Sequence, residues 1–166
     1  NWNNFLSYYP GNEYVQLLGI TGYNTGTYYA DKNGEVWREF KDIYDEYDCF
    51  TVGEAPMMTP KKALDFIKEG DGQLLNMMFH FEHMGCDNVI TNWIVTPFRL
   101  GKLKKVYNNW QKSLYGIAWN ANYIENHDQP RNISRYGSEN YRFESGKALA
   151  TMYTFLSGAQ FVYQGQ

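Results

Sequence analysis

Two carboxylates and an imidazole stand where chemistry is most easily built. Glu54 ends the apolar run Asp48-Cys-Phe-Thr-Val-Gly53 and is followed by Ala55-Pro56. Asp128 lies in a second stretch, Trp119-Asn-Ala-Asn-Tyr-Ile-Glu-Asn-His-Asp-Gln-Pro-Arg131. That stretch begins with apolar alternation and ends in Glu125, Asn126, His127, Asp128 and Gln129. Pro130 then stops regular structure, because it has no amide proton and restricts the residue before it. Paired carboxylates at the mouths of strands suit cleavage of a glycosidic bond. One must carry a proton for the leaving oxygen, and the other must face a developing oxocarbenium ion as an anion. The apolar strand before Glu54 suits the proton donor, and the amides and imidazole around Asp128 suit the anion. From spacing alone, the competing assignment for each carboxylate is a helix cap or an arginine partner.

Other chemistries are poorly served. His80-Phe-Glu-His83 has the wrong spacing for a helical pair of metal-binding histidines. On a strand, His80 and Glu82 would share a face while His83 points away. No metal is expected there, and no cofactor either, since no P-loop, G-x-G-x-x-G or G-x-S-x-G pattern occurs. Asn132-Ile-Ser134 matches a glycosylation sequon, which matters only in a secreted protein. Cys49 and Cys86 are too few for a disulfide scaffold, and Cys49 is expected as a reduced core residue.

The 43% hydrophobic content is enough for a core, and 166 residues fit one domain. Aromatic residues reach 18%, while the net charge is only −3 without a basic run. That combination argues against a nucleic-acid partner. It favours a neutral ligand such as carbohydrate, with core packing the other use for the rings. No stretch approaches the roughly 18 to 20 apolar residues of a membrane span, so no membrane partner is expected. The chain begins Asn1-Trp with no initiator Met and no signal-peptide pattern. A cytoplasmic location is expected. The last residues, Phe161-Val-Tyr-Gln-Gly-Gln166, look like mid-strand. Both ends therefore read as cuts in a larger protein.

The elements that must position these residues alternate. Residues 1–33 read as loop, with one short strand at Tyr14–Leu18. Val36, Phe40, Ile43, Tyr44 and Tyr47 recur at helical spacing over 34–47. The strand ending at Gly53 follows. Thr59-Pro60 starts a helix that runs through Ala63, Leu64, Phe66 and Ile67 to near Gly70. A strand is predicted at Leu74–Phe81, ending in Glu82 and His83. The helix Arg99–Tyr115 carries Leu100, Leu103, Val106, Tyr107, Trp110 and Leu114 on one stripe. After the Trp119 strand come a helix at Gly137–Leu156 and a strand at Ala159–Tyr163. In that helix Ala148, Leu149, Met152, Tyr153 and Leu156 are expected to face inward. Helical crossovers between short strands imply a parallel sheet. Polar residues at three strand ends point to a (β/α)8 barrel or part of one. A whole barrel usually takes about 200 residues or more, so four strands look like half.

The motifs carry a resemblance. Thr51-Val-Gly-Glu-Ala-Pro56 resembles the fifth-strand motif of glycoside hydrolase family 13, the α-amylase family. Tyr123-Ile-Glu-Asn-His-Asp-Gln-Pro-Arg131 resembles its seventh-strand motif. The subgroup most similar is that of α-glucosidase, oligo-1,6-glucosidase and trehalose-6-phosphate hydrolase. Leu75-Asn-Met-Met-Phe-His-Phe-Glu-His-Met84, Asn109-Trp-Gln-Lys112 and Phe161-Val-Tyr-Gln-Gly-Gln166 support it. The resemblance implies that 34–166 is the C-terminal half of a catalytic (β/α)8 barrel, roughly strands 5 to 8, with 1–33 unassigned. It implies Glu54 as general acid/base and Asp128 as transition-state stabiliser. It places His127, Asn126 and Arg131 beside the sugar, and Phe79 and Glu82 on the aglycone side, where core packing serves the last two equally well.

One departure matters. The family's nucleophile is an Asp in a Gly-Phe-Arg-x-Asp motif upstream of the acid/base. Asp31, Asp42, Asp45 and Asp48 precede Glu54, and none has an Arg two residues before it. The expected function is therefore a fragment of a retaining α-glucosidase acting on short α-glucoside oligosaccharides, inactive alone. Its expected partner is the missing N-terminal half of the barrel. The alternatives are a sugar-transferring or isomerising relative, or a non-catalytic amylase-like interaction protein.

Overall fold

Why this chain alternates strand and helix is visible in a computed structural model, which describes residues 50–87, 94 and 96–166. Four strands, β1 (Val52–Glu54), β2 (Met77–Phe79), β3 (Trp119–Asn122) and β4 (Ala159–Gln160), form one sheet in that order. Every neighbouring pair is parallel. The connections are α1 (Pro60–Ile67), α2 (Leu100–Leu114), and α3 (Asn132–Tyr136) followed by α4 (Arg142–Thr154). The parallel sheet and helical crossovers are as predicted. The helix over 34–47, the strand Tyr14–Leu18, the 1–33 loop and Cys49 lie outside the described residues.

Local signals set the helix starts. Thr59 is extended (φ −102°, ψ 156°), and its side chain accepts a hydrogen bond from the Lys62 amide at 3.4 Å. Pro60 then fills the first helical position, where an amide proton is not needed. In α2, Leu103, Val106, Tyr107, Trp110 and Leu114 are buried as the stripe predicts. Leu100 is not: it opens the helix and stays 49% exposed. The core lies between this stripe, Ala63 and Ile67 of α1, and Met78 of β2.

Register is fixed by polar pairs as well. The Thr51 amide donates to Asn76 Oδ1 (2.7 Å), and the Asn76 amide donates to Thr51 Oγ1 (3.0 Å), just before the β1–β2 ladder begins. Gln111 of α2 reaches the turn before β4, accepting from the Ser157 amide and donating to the Ser157 carbonyl, both at 2.9 Å. Asn122 Nδ2 donates to the same carbonyl at 3.0 Å. Gly158 follows with φ +127°, and a Cβ there would sit 2.3 Å from the Asn120 carbonyl oxygen. Only glycine lets β4 come this close to β3.

The helix predicted at Gly137–Leu156 is shortened, and a helix that was not predicted precedes it: α3, which ends as the Gly137 amide donates to the Ile133 carbonyl at 2.9 Å. A short 3-10 turn at Glu139–Tyr141 then leads into α4. The helix therefore starts later than predicted. Leu149 and Tyr153 are buried and Met152 and Leu156 partly so, while Ala148 faces solvent. The strands predicted at Leu74–Phe81 and Ala159–Tyr163 are trimmed to three and two residues.

Candidate active site

The C-terminal ends of the four strands meet around one cleft of ≈ 230 Å³. Glu54 and Phe79, last residues of β1 and β2, are ladder partners and both line it. Tyr123 and Phe161, first residues beyond β3 and β4, line it as well. The loop after β3 adds Glu125, Asn126 and His127; the segment after β4 adds Val162 and Tyr163. The Phe79 ring meets Phe161 and Tyr123 edge-on, at 4.6 and 5.1 Å between centroids. This makes an aromatic base with carboxylate and imidazole at its rim.

Each predicted residue can now be located. Glu54 is exposed at the rim, so these strands alone do not give it the dry setting suggested by its apolar approach. Burial above all, and then the nearby Glu54 charge, push the Tyr123 hydroxyl well above its ordinary range. Tyr123 stays protonated and donates to the His80 carbonyl at 2.8 Å. His127 Nε2 lies 3.4 Å from Asp128 Oδ2, with both side chains open to solvent. Asp128 stands outside the cleft lining. Asn126 Oδ1 accepts from the Asp128 amide at 3.0 Å, a local turn that sets the direction of the loop.

Arg131 and Glu82 are engaged elsewhere, and neither lines the cleft. Arg131 Nη1 donates to Glu125 Oε1 at 2.6 Å and to the Gln164 carbonyl at 2.8 Å. Glu82 Oε2 accepts from Trp110 Nε1 at 2.8 Å. The strand reading of His80-Phe-Glu-His83 is corrected here. β2 stops at Phe79 and a 3-10 turn begins at Glu82, so strand alternation does not extend across these residues. His83 turns back, and its Nδ1 comes within 3.5 Å of His80 Nδ1. His80 also stacks on Trp110, at 3.9 Å and 6° between planes. Burial is the main reason that His80 is held down at about 2 and His83 at about 3. Among the described residues, no three His, Cys, Asp or Glu side chains converge on a metal-sized space.

Sequence reasoning missed Glu125, Tyr123, Phe161 and Tyr163. Tyr123 and Phe161 lie just beyond the ends of β3 and β4, and the strand predicted at Ala159–Tyr163, being too long, puts Phe161 in mid-strand. The Asn132 sequon also reads differently in the fold. Asn132 is 4% exposed, and its amide donates to Glu125 Oε2 at 2.6 Å.

The chain is similar in sequence and fold to known proteins. The family model described as "Alpha amylase, catalytic domain" matches residues 9–166. An oligo-1,6-glucosidase of Parageobacillus thermoglucosidasius is 40% identical over 151 residues, covering 87% of this chain and 26% of its own length. A trehalose-6-phosphate hydrolase of Bacillus subtilis is 37% identical, over 75% of this chain and 22% of its own length. Among solved structures, the trehalose-6-phosphate hydrolase of Bacillus licheniformis aligns with a TM-score of 0.71 at 37% identity, over 75% of this chain and 23% of that one. An isomaltulose synthase of Erwinia rhapontici aligns at 0.67 with 27% identity, over the same shares. The chain thus spans about a quarter of the length of these curated relatives. It belongs to the α-amylase catalytic-domain family, glycoside hydrolase family 13, in the subgroup of oligo-1,6-glucosidase and trehalose-6-phosphate hydrolase, and its sheet is part of a (β/α)8 barrel.

Proposed function

We propose that this chain is the acid/base-bearing half of a retaining α-glucosidase acting on short α-glucoside oligosaccharides. One observation carries the reading: Glu54 and His127 share a cleft with an aromatic base at the carboxyl ends of parallel strands. Glu54 gives its proton to the glycosidic oxygen as the bond breaks, and later takes one from the attacking water. Asp128, with His127 beside it, binds sugar hydroxyls and stabilises the oxocarbenium-like transition state. The faces of Phe79, Tyr123 and Phe161 offer apolar surface to the sugar ring. Asn126 shapes the loop. Arg131 and Glu82 serve through Glu125 and Trp110 more than by touching sugar.

A retaining mechanism needs a second carboxylate about 5–5.5 Å from the first. It comes from a Gly-Phe-Arg-x-Asp in the N-terminal half-barrel, which is the chain's partner in this reading. The site works on a cytoplasmic neutral sugar, without nucleic acid, membrane or cofactor. The isolated 166 residues release no p-nitrophenol from p-nitrophenyl-α-glucoside; release by the pure chain that disappears in Glu54→Gln overturns this. The coding sequence upstream of Asn1 tests the fragment reading directly. The motif in frame supports it, and a start codon at that point favours a free-standing, non-catalytic protein. With the continuous protein, Glu54→Gln lowers turnover about 10²- to 10⁴-fold. Similarity to an isomaltulose synthase keeps an isomerising reaction as the second reading. Product analysis separates the two: free monosaccharides for hydrolysis, an isomeric disaccharide for the other.

A further inference from the structure

The loop carrying His127 and Asp128 has no apolar anchor, since no side chain from Asn126 to Arg131 is buried. One side chain joins its two ends. Glu125 precedes the loop and is 1% exposed at its side chain. Its Oε1 accepts from Arg131 Nη1 and its Oε2 from the Asn132 amide, each at 2.6 Å. A carboxylate buried this deeply needs both oxygens satisfied, and bonds to a cation and an amide are strong ones. Arg131 extends the connection. Its Nη1 also donates to the Gln164 carbonyl, and the guanidinium lies 5.0 Å over the Tyr163 ring. Carboxylate, guanidinium and the segment after β4 are therefore linked in series across one side of the cleft.

We propose that Glu125 is the positioning residue of this site. By clamping both ends of the loop, it fixes His127, which lines the cleft, and Asp128 next to it, and uses Arg131 as a strap to the segment after β4. The catalytic consequence rests on the glycosidase reading above; the clamp itself does not. A rival anchor exists: Gln129 Oε1 accepts from Arg135 Nη1 at 3.0 Å, and Arg135 is paired with Asp87.

Amide hydrogen exchange on the 166-residue chain, followed by NMR, tests the clamp. In Glu125→Gln, the amides of Asp128, Gln129 and Asn132 exchange about 10- to 100-fold faster, while those of α2 keep their rates. Unchanged loop amides overturn the proposal, and so does equal acceleration throughout α2. Gln129→Ala is the control: if it reproduces the whole effect, Arg135 is the anchor and Glu125 is not. Arg131→Lys keeps the charge without the planar fork and gives a smaller acceleration of the same amides; none at all removes the strap. The continuous protein supplies a kinetic readout. Glu125→Gln lowers kcat with KM nearly unchanged, and adding it to Asp128→Asn lowers kcat no further. Additive losses overturn the positioning role. Exchange needs no turnover, so an inactive protein counts against the glycosidase reading and leaves the clamp to be judged by its own result.

Discussion

The chain's three histidines divide between two regions that share little beyond the residue type. His80 and His83 are 4% and 1% exposed, packed among Trp110, Tyr107 and Tyr123. His127 has a side chain 67% exposed at the cleft rim. In the first region the imidazoles are flat, polarisable wall material, kept neutral by the loss of water. In the second, the imidazole is held by its loop alone and faces whatever enters. The difference teaches that burial, more than motif, decides whether a histidine builds or binds. It also separates a region expected to set stability from one that, in the proposed reading, sets function.

The largest test of that separation is Trp110→Ala. It removes the partner stacked on His80 and the donor to Glu82, and should cost about 3–5 kcal/mol in urea unfolding. A loss below about 1 kcal/mol would mean the buried region is not a rigid wall.

Acid should act on the same region. Both buried histidines sit far below their ordinary value near 6.5, at about 2 and about 3. The unfolded chain takes up protons near 6.5, whereas the folded chain takes them only near those depressed values. Their contribution is therefore complete above pH 6.5 and is lost as pH falls toward 3. Each histidine gives a slope of up to about 1.4 kcal/mol per pH unit. Unfolding midpoints between pH 6.5 and 5 should fall in the native chain and flatten in the His80→Phe/His83→Phe double variant. An equally steep fall in that variant would assign the slope to carboxylates.

The smallest effect on stability is expected at the rim. His127→Ala should change unfolding free energy by no more than about 0.5 kcal/mol. In the continuous protein it should still weaken sugar binding or turnover, measured by glucoside kinetics. A large stability loss here would erase the contrast between the two regions.

Much of the fold was legible because its strongest signals are periodic. The α2 stripe repeats at helical spacing for four turns, and the structure buries all of it but Leu100. Strand limits were less legible, because a parallel strand ends where its neighbour stops pairing. Phe81 looks as strand-like as Phe79, yet the ladder stops at Phe79. The short helix α3 was hidden because its five residues, Asn132–Tyr136, are too few to show a periodic apolar stripe. The late start of α4 was hidden because the turn after Gly137 is set by a distant partner, the Ser145 hydroxyl that accepts from the Ser138 amide. The rim residues Glu54, Asn126 and His127 were legible as strand-end groups and Phe79 only through the family resemblance, and one cleft collects all four. Glu125 was not. It stands two positions before His127 in a run of polar residues, and nothing local says which carboxylate turns inward.

The strap between Arg131 and Gln164 also sets an order of events in time. Glu125 and Arg131 are six residues apart and leave the ribosome almost together. Gln164 follows Arg131 by 33 residues, a delay of about 2–7 s at typical rates of synthesis. The clamp can thus close on its own loop while β4 is still being made, and the strap can be tied only afterwards. A nascent chain stalled between these two points would hold the His127 loop shut at its ends but unfastened from the rest of the cleft.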